Sequence, residues 1–160
     1  MVEIIPGYGR MDEVLALVKE YTDMIARQGG DVVECLKSQH LDAELLDMEK
    51  KYGLPWGRLY LACADGKAAG CAAIARLDGE ICELKRLYVR PEYRGRHIGN
   101  ALMEQAISDA RDIGYRYMRL DTFPFMEAAV RMYERRGFLP IERYNDNPAA
   151  EAVFMELALF

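Results

Sequence analysis

The spacing of apolar residues changes along the chain, and each change marks an element. From Asp12 onward the apolar positions recur at helical intervals. Val14, Leu17, Val18, Tyr21, Met24 and Ile25 share one stripe, Asp12 can cap the start, and Gly29-Gly30 closes the run. A second helix is predicted from about Leu41 to Tyr52, where "GLPWG" breaks it. The period then shortens. "RLYLACA", "AAGCAAIARL" and "EICELKRLYV" read as strands, and "ADGK" and "LDGE" between them carry the Asp-Gly hairpin signal, which predicts a three-stranded antiparallel meander. After "RPEYRGRH" the helical period returns: Ile98, Leu102, Ala106, Ala110 and Ile113 fall on one face and Gly114 ends it. "YRYMRLDT" reads as a strand, "FMEAAVRMYERRG" as a helix ending at Gly137, and "FLPIERY" and "AVFMELAL" as two more strands.

The predicted order is α-α-β-β-β-α-β-α-β-β. The strand–helix–strand unit over residues 80–122 should be a right-handed crossover joining two parallel strands. The rest of the sheet should be mainly antiparallel, giving an α+β architecture. A length of 160 residues suits a single domain with a proper core.

Composition narrows the classes. Hydrophobic residues make up 51% and charged residues 29%, the balance of a water-soluble globular chain. There is no apolar run of membrane-spanning length, and the N-terminus lacks a basic start and long apolar stretch, so neither a membrane span nor a signal peptide is expected. Cys35, Cys63, Cys71 and Cys82 form no CxxC pair, and His40 and His97 are the only histidines, which speaks against a zinc site. Buried thiols in a reducing cytoplasm are the expected state. The net charge is −5, whereas duplex nucleic acid or an anionic membrane would call for a broad basic surface. The one dense cationic stretch, with Lys85, Arg86, Arg90, Arg94 and Arg96, suits a small anionic ligand.

That stretch runs into "RGRHIG", residues 94–99, at a predicted helix start. Helix N-termini offer unpaired N–H groups and a positive dipole end, so a loop there can cradle an anion, phosphate above all. Gly95 would let a ligand approach the backbone, Gly99 would leave the first turn uncrowded, and Arg94 and Arg96 would add charge. From these six letters alone, a solvated turn with glycines for geometry is an equal reading. The loop is not a Walker loop, lacking GK[ST], and contains no GxGxxG.

"RGRHIG" after a strand resembles the (R/Q)xxGx(G/A) loop of the GCN5-related N-acetyltransferases (GNAT). "ELKRLYVRPEYRGRHIGNALMEQAI" resembles that family's cofactor strand, loop and helix, and "AAVRMYERRGF" its later helix. The resemblance covers roughly residues 58–160. It implies the GNAT fold, a mixed and mainly antiparallel central sheet with helices on both faces and one parallel crossover. It also implies an acetyl-CoA-dependent N-acetyltransferase that uses no metal and acts on a primary amine of a small molecule or peptide, with homodimers common. Two letters depart from the family pattern. His97 stands where glycine is common and either touches the cofactor or faces water. Met126 stands where many members carry an asparagine that contacts the cofactor.

By this resemblance the pyrophosphate lies on Arg94, Gly95, Arg96, His97, Ile98, Gly99 and Asn100, and the pantetheine arm pairs with the backbone of Leu87, Tyr88 and Val89. Tyr133 would protonate the CoA sulfur, for which a phenol with a pKa of about 10 is suited. Glu83 is either the general base or a structural carboxylate paired with Lys85 or Arg86, and many members move the amine's proton through water instead. Strand alternation is expected to place Glu83, Lys85, Leu87 and Val89 on one face. The acceptor site is expected from the N-terminal helices, the loop around "LPWGR" and the last two strands, with Trp56, Tyr144 and "NDNP" at 145–148 as candidates. No cysteine has a base motif, so a cysteine acyl-enzyme is not expected. A non-catalytic acetyl-CoA sensor is the alternative; it would keep the loop and need neither Glu83 nor Tyr133.

Overall fold

The structure, a computed structural model, describes residues 1–28, Glu44, 47–147 and 149–160. Its strands are β1 (Val2–Pro6), β2 (Arg58–Ala64), β3 (Lys67–Arg76), β4 (Ile81–Val89), β5 (Tyr117–Thr122), β6 (Leu139–Pro140) and β7 (Val153–Ala158). The helices are α1 (Met11–Ala26), α2 (Met48–Tyr52), α3 (Ile98–Ile113) and α4 (Glu127–Arg135). One sheet takes the order β1-β2-β3-β4-β5-β7-β6, and β4 with β5 is its parallel pair. The α+β class, the meander and the parallel crossover are therefore as the sequence predicts.

Three local expectations change. β1 adds an edge strand that the pattern did not reveal: it is five residues long, ends in proline, and pairs antiparallel with β2 from Val2↔Ala64 to Pro6↔Tyr60. Proline is tolerated there because an edge position needs no ladder N–H on its outer side. "FLPIERY" shortens to Leu139–Pro140 at the opposite edge. Asp12 sits inside the first turn of α1, where its charge faces the helix dipole, and the capping position is Arg10. Of the second predicted helix, Met48–Tyr52 is present with the Asp47 carboxylate accepting the Lys50 N–H at 3.0 Å. Residues 41–43, 45 and 46 lie outside the described residues, as do Gly29, Gly30, Cys35 and His40.

Helices cover both faces of the sheet. On one face Ile98, Leu102 and Ala106 of α3 pack over Ile74, Leu84 and Met118. On the other, Val14, Leu17 and Val18 of α1 pack over Leu61, Cys71 and Ala73. The run of small residues in β3 lets both helices approach closely. Gly70 answers a tighter constraint: a Cβ there would stand 2.6 Å from the Tyr88 carbonyl oxygen.

β4 contains a bulge. Its register with β3 shifts between Cys71 and Ala73, and Arg86, opposite the shift, has φ +58°, in the left-handed region. The Cys71 thiol donates to the Arg86 carbonyl at 3.2 Å. The buried Arg86 guanidinium grips the buried Glu44 carboxylate at 2.7 and 2.9 Å. The bulge overturns the expected alternation. Leu87 and Val89 join Cys82 and Leu84 on the α3 face, while Tyr88 packs on the α1 face. Glu83 and Lys85, alternating with Cys82 and Leu84, also lie on the α1 face, so the four residues expected on one face are split between two.

Burial alone would raise the Glu44 pKa. The hydrogen bond and charge of Arg86, then those of Lys51, outweigh it and hold the carboxyl at about 2 against an ordinary 4.5. Because the folded value is the lower one, the stabilisation is complete above the ordinary value and is lost as pH falls toward 2. At about 1.4 kcal/mol per unit, the loss is on the order of 3 kcal/mol. Glu44→Gln should destabilise by about 3 kcal/mol near neutrality, since it leaves a buried guanidinium without its counter-charge. Urea titrations at about pH 6 and about pH 3 test this: the variant should lose less stability on acidification than the wild type, and equal losses would rule the account out.

Candidate active site

Approaching the bulge, β4 parts from β5. Their parallel pairing runs from Ile81↔Tyr117 to Glu83↔Arg119 and stops, whereas β5 stays on β7 as far as Thr122↔Val153. From Leu84 onward β4 thus has an open edge, and a wedge widens toward the loop that precedes α3. A bulge bends its strand and increases local twist, which is the physical cause of such a departure.

The mouth of the wedge is a cavity of 540 Å³ between the end of β4, the 94–99 loop and α4. Every residue expected at the cofactor lines it except Arg96, whose guanidinium turns to the Asp65 carboxylate at 3.8 Å and lies over the Tyr93 ring. The first helical hydrogen bond of α3 runs from the Ala101 N–H to the His97 carbonyl at 3.1 Å. The N–H groups of Ile98, Gly99 and Asn100 therefore have no backbone acceptor among the described residues, which is the unpaired set an anion cradle needs. Gly95 has φ +83° and His97 φ +61°, so the loop turns through two left-handed residues. Glycine is the usual occupant of that region, and histidine is one of the few side chains that enters it readily. A Cβ on Gly99 would meet Met132 Sδ at 3.6 Å, an ordinary contact, so protein packing alone does not require glycine there.

A narrower cleft of about 40 Å³ opens behind this cavity and shares Leu87 and Met126 with it. Tyr133 of α4 lines the cleft, buried, with its ring 5.6 Å from that of Phe138. Its hydroxyl makes no hydrogen bond among the described residues. Burial raises its pKa well above the ordinary phenol value, and the nearby Tyr21 and Asp121 add to the rise. The phenol is therefore protonated throughout the physiological range, the state required of a proton donor.

Glu83 is buried and lines neither cavity. The Tyr144 hydroxyl donates to its Oε2 at 2.5 Å, and Lys85 Nζ is 3.7 Å from its Oε1. Lys85 does line the narrow cleft. Burial lowers its pKa, and the charge of Glu83 opposes that shift. Tyr144, like Glu83, lines neither cavity, and of the described residues in the loop after it Asn147 lines the narrow cleft. Asn145 and Asn147 both donate to Asp121 Oδ2, at 3.0 and 3.1 Å. Pro148 lies outside the described residues. Trp56 does not come to the site. It lies 4.5 Å from Arg76 at the end of β3 beside Cys82, whereas the wedge opens toward Val89, beside Gly70. Sequence reasoning missed Asp121; the signal available was its place at the carboxyl end of a parallel strand, where ligands gather in sheets of this kind.

Cys63, Cys71 and Cys82 are free and buried, and burial pushes the thiols of Cys71 and Cys82 up to about 12. At that value almost none is thiolate near neutrality, so neither thiol is a competent nucleophile.

The sequence profile of the Acetyltransferase (GNAT) family matches residues 20–138. The chain belongs to the GNAT family. A Schizosaccharomyces pombe protein named an uncharacterized N-acetyltransferase is 38% identical over 93% of this chain and 88% of its own. The IAA acetyltransferase of Azospirillum brasilense is 30% identical over 92% of each chain. Among solved structures, the PaiA N-acetyltransferase of Thermoplasma acidophilum, in complex with coenzyme A, superposes with a TM-score of 0.73 at 18% identity over 99% of both chains. The GNAT fold expected from the resemblance is thus present, and the chain is an acyltransferase. No helix among the described residues is long and apolar enough to cross a membrane.

His97 offers a test of the loop. A non-glycine residue at left-handed angles costs roughly 1–2 kcal/mol, and a glycine in its place loses about 0.5–1 kcal/mol through unfolded-state entropy. His97→Gly should therefore leave stability within about 1 kcal/mol and keep the rise in melting temperature given by acetyl-CoA. His97→Val, β-branched in the same conformation, should lose roughly 1–2 kcal/mol. A His97→Gly protein of normal stability with no acetyl-CoA shift would instead assign the contact to the imidazole.

Proposed function

We propose that this GNAT protein transfers the acetyl group of acetyl-CoA directly to a primary amine, with both substrates bound at once. The observation that carries the reading is the meeting, at Leu87, of a cavity floored by unpaired α3 amides and a cleft that presents a buried, protonated Tyr133. In this reading the amides of Ile98, Gly99 and Asn100 take the pyrophosphate, with Arg94 adding charge. The open edge of β4 at Leu87, Tyr88 and Val89 takes the pantetheine arm as an added strand would be taken. A backbone N–H there polarises the thioester carbonyl.

The chain's own residues then manage protons. The amine nitrogen forms the new C–N bond as the C–S bond breaks. An ammonium gives up two protons in becoming an amide. Glu83, reached through Lys85 or water because it does not front the cleft, draws off one. Tyr133 gives its proton to the departing sulfur and regains one from the amine's side, so thiol and amide leave neutral. A sensor that only binds acetyl-CoA would have no use for a phenol held protonated at this junction. The buried thiols of Cys63, Cys71 and Cys82 support a reducing, cytoplasmic setting.

Acetyl-CoA at about 100 times its Kd should stabilise the fold by roughly 2.7 kcal/mol, with ATP and NAD giving no comparable shift. Tyr133→Phe should lower kcat about 100-fold or more while leaving that stabilisation intact. Unchanged turnover in a Tyr133→Phe protein would remove the phenol from the mechanism.

A further inference from the structure

We infer that Asp121 is the carboxylate that receives the acceptor's ammonium group, and that Asn145 and Asn147 hold it for that purpose. The inference rests on the amine transfer proposed above and names the residue that selects its substrate.

Asp121 stands where an incoming amine must pass. It is next to last on β5, the strand that keeps its course on β7 while β4 turns away, so it occupies the lip of the wedge across from Leu87. Leu120 and Met118 point into the core beneath α3, and alternation sends Asp121 to the opposite face, the face of Lys85. Among the described residues it is the one carboxylate that lines the narrow cleft. Of the cations on the same wall, Arg86 is committed to Glu44. Glu83, the other acidic residue nearby, is sealed beneath Tyr144.

The carboxylate is also aimed. Both asparagine amides reach the same oxygen, Oδ2, and Oδ1 has no hydrogen bond among the described residues. The orientation of the Asn147 amide follows from its partners. Its Oδ1 accepts the Ala149 N–H at 2.9 Å, which leaves the NH₂ end for Asp121. The Asn147 backbone is fixed in turn, its N–H donating to Asn145 Oδ1 at 3.0 Å and its carbonyl accepting from Arg143. Two donors on one oxygen lock the rotamer, and the second oxygen is left for an external donor.

The walls suit an ammonium on a short carbon chain. Ile25, Phe123 and Met126 line the cleft and give an apolar surround in which an ion pair is stronger than in water. The charge of Asp121 is felt at Lys85, Tyr133 and Tyr144, so an ammonium held there lies within reach of the groups that move its protons.

Asp121→Asn, assayed by thiol release over ethanolamine, putrescine, phenethylamine and amino-acid amides, tests the assignment. KM for the preferred amine should rise about 10- to 100-fold, the scale of one charge-assisted hydrogen bond. KM for acetyl-CoA and the melting shift it gives should not move, and Asp121→Glu should recover part of the loss. Asn145→Ala, which removes one amide from a half-buried position, should show the same split on a smaller scale and serves where Asp121→Asn folds poorly. An unchanged amine KM in either folded variant overturns the inference alone. A wild type stabilised by acetyl-CoA that turns over none of these amines also overturns it. A wild type that acetyl-CoA does not stabilise defeats the amine-transfer reading as well.

Discussion

The site depends on one backbone irregularity, the left-handed turn of Arg86 within β4. A non-glycine residue in this region costs roughly 1–2 kcal/mol, and it persists only where its surroundings over-determine it. Here they do so three times. Glu44 grips the guanidinium with two hydrogen bonds, Cys71 donates to the carbonyl, and the absence of a Cβ on Gly70 leaves room for the Tyr88 carbonyl next along the strand. The strain is local, and its consequence extends along the strand. β4 leaves β5 after Glu83, and a strand with both edges paired becomes one with an edge to offer.

The same turn divides the chemistry between two faces. Upstream of Arg86 the polar side chains of β4, Glu83 and Lys85, lie on the α1 face. Downstream, Leu87 and Val89 lie on the α3 face, where the cradle at the start of α3 is. A regular strand would have put all four on one side, with the proton-handling groups beside the thioester arm. In the proposed mechanism the bulge puts the donor's path on one side and the acceptor's charges on the other, and they meet at the wedge. Arg90 secures the far end of the strand: it binds Glu20 of α1 at 2.8 Å and the Ala68 carbonyl at 2.9 Å, so α1 is tied to β4.

What could be read in the sequence divides along the same line. The 94–99 loop and α3 were legible because their signals are local: two glycines, flanking arginines, and five apolar residues at helical spacing. Tyr133 was legible from the resemblance of its helix. The faces of β4 were not, because nothing at position 86 announces the turn. A glycine there would have, but arginine reads as one more polar residue of a strand. β1 escaped because its five edge residues, three half-buried and two exposed, carry no regular alternation. Trp56 was drawn to the site by its chemistry and excluded by the sheet order, which places its loop beside the start of β4. Asp121 was overlooked because a lone carboxylate in a strand is ordinary until the neighbouring strand leaves and opens a cleft in front of it.

The buried Arg86–Glu44 pair is better understood as a device of register than as a source of stability. Buried ion pairs return little net energy, because desolvating two charges offsets most of their attraction. What the pair adds is a penalty on alternatives. A β4 slipped by one residue would exchange its faces, moving Leu87 and Val89 out of the α3 core and turning Arg86 away from Glu44. The hydrophobic term alone disfavours that slip, but β3 is largely alanine around the bulge and would register it weakly. An unpaired guanidinium and carboxylate, each buried, would not be tolerated. The charge pair thus selects the one register in which β4 opens toward the unpaired amides of α3, and the chain accepts a strained residue to have it.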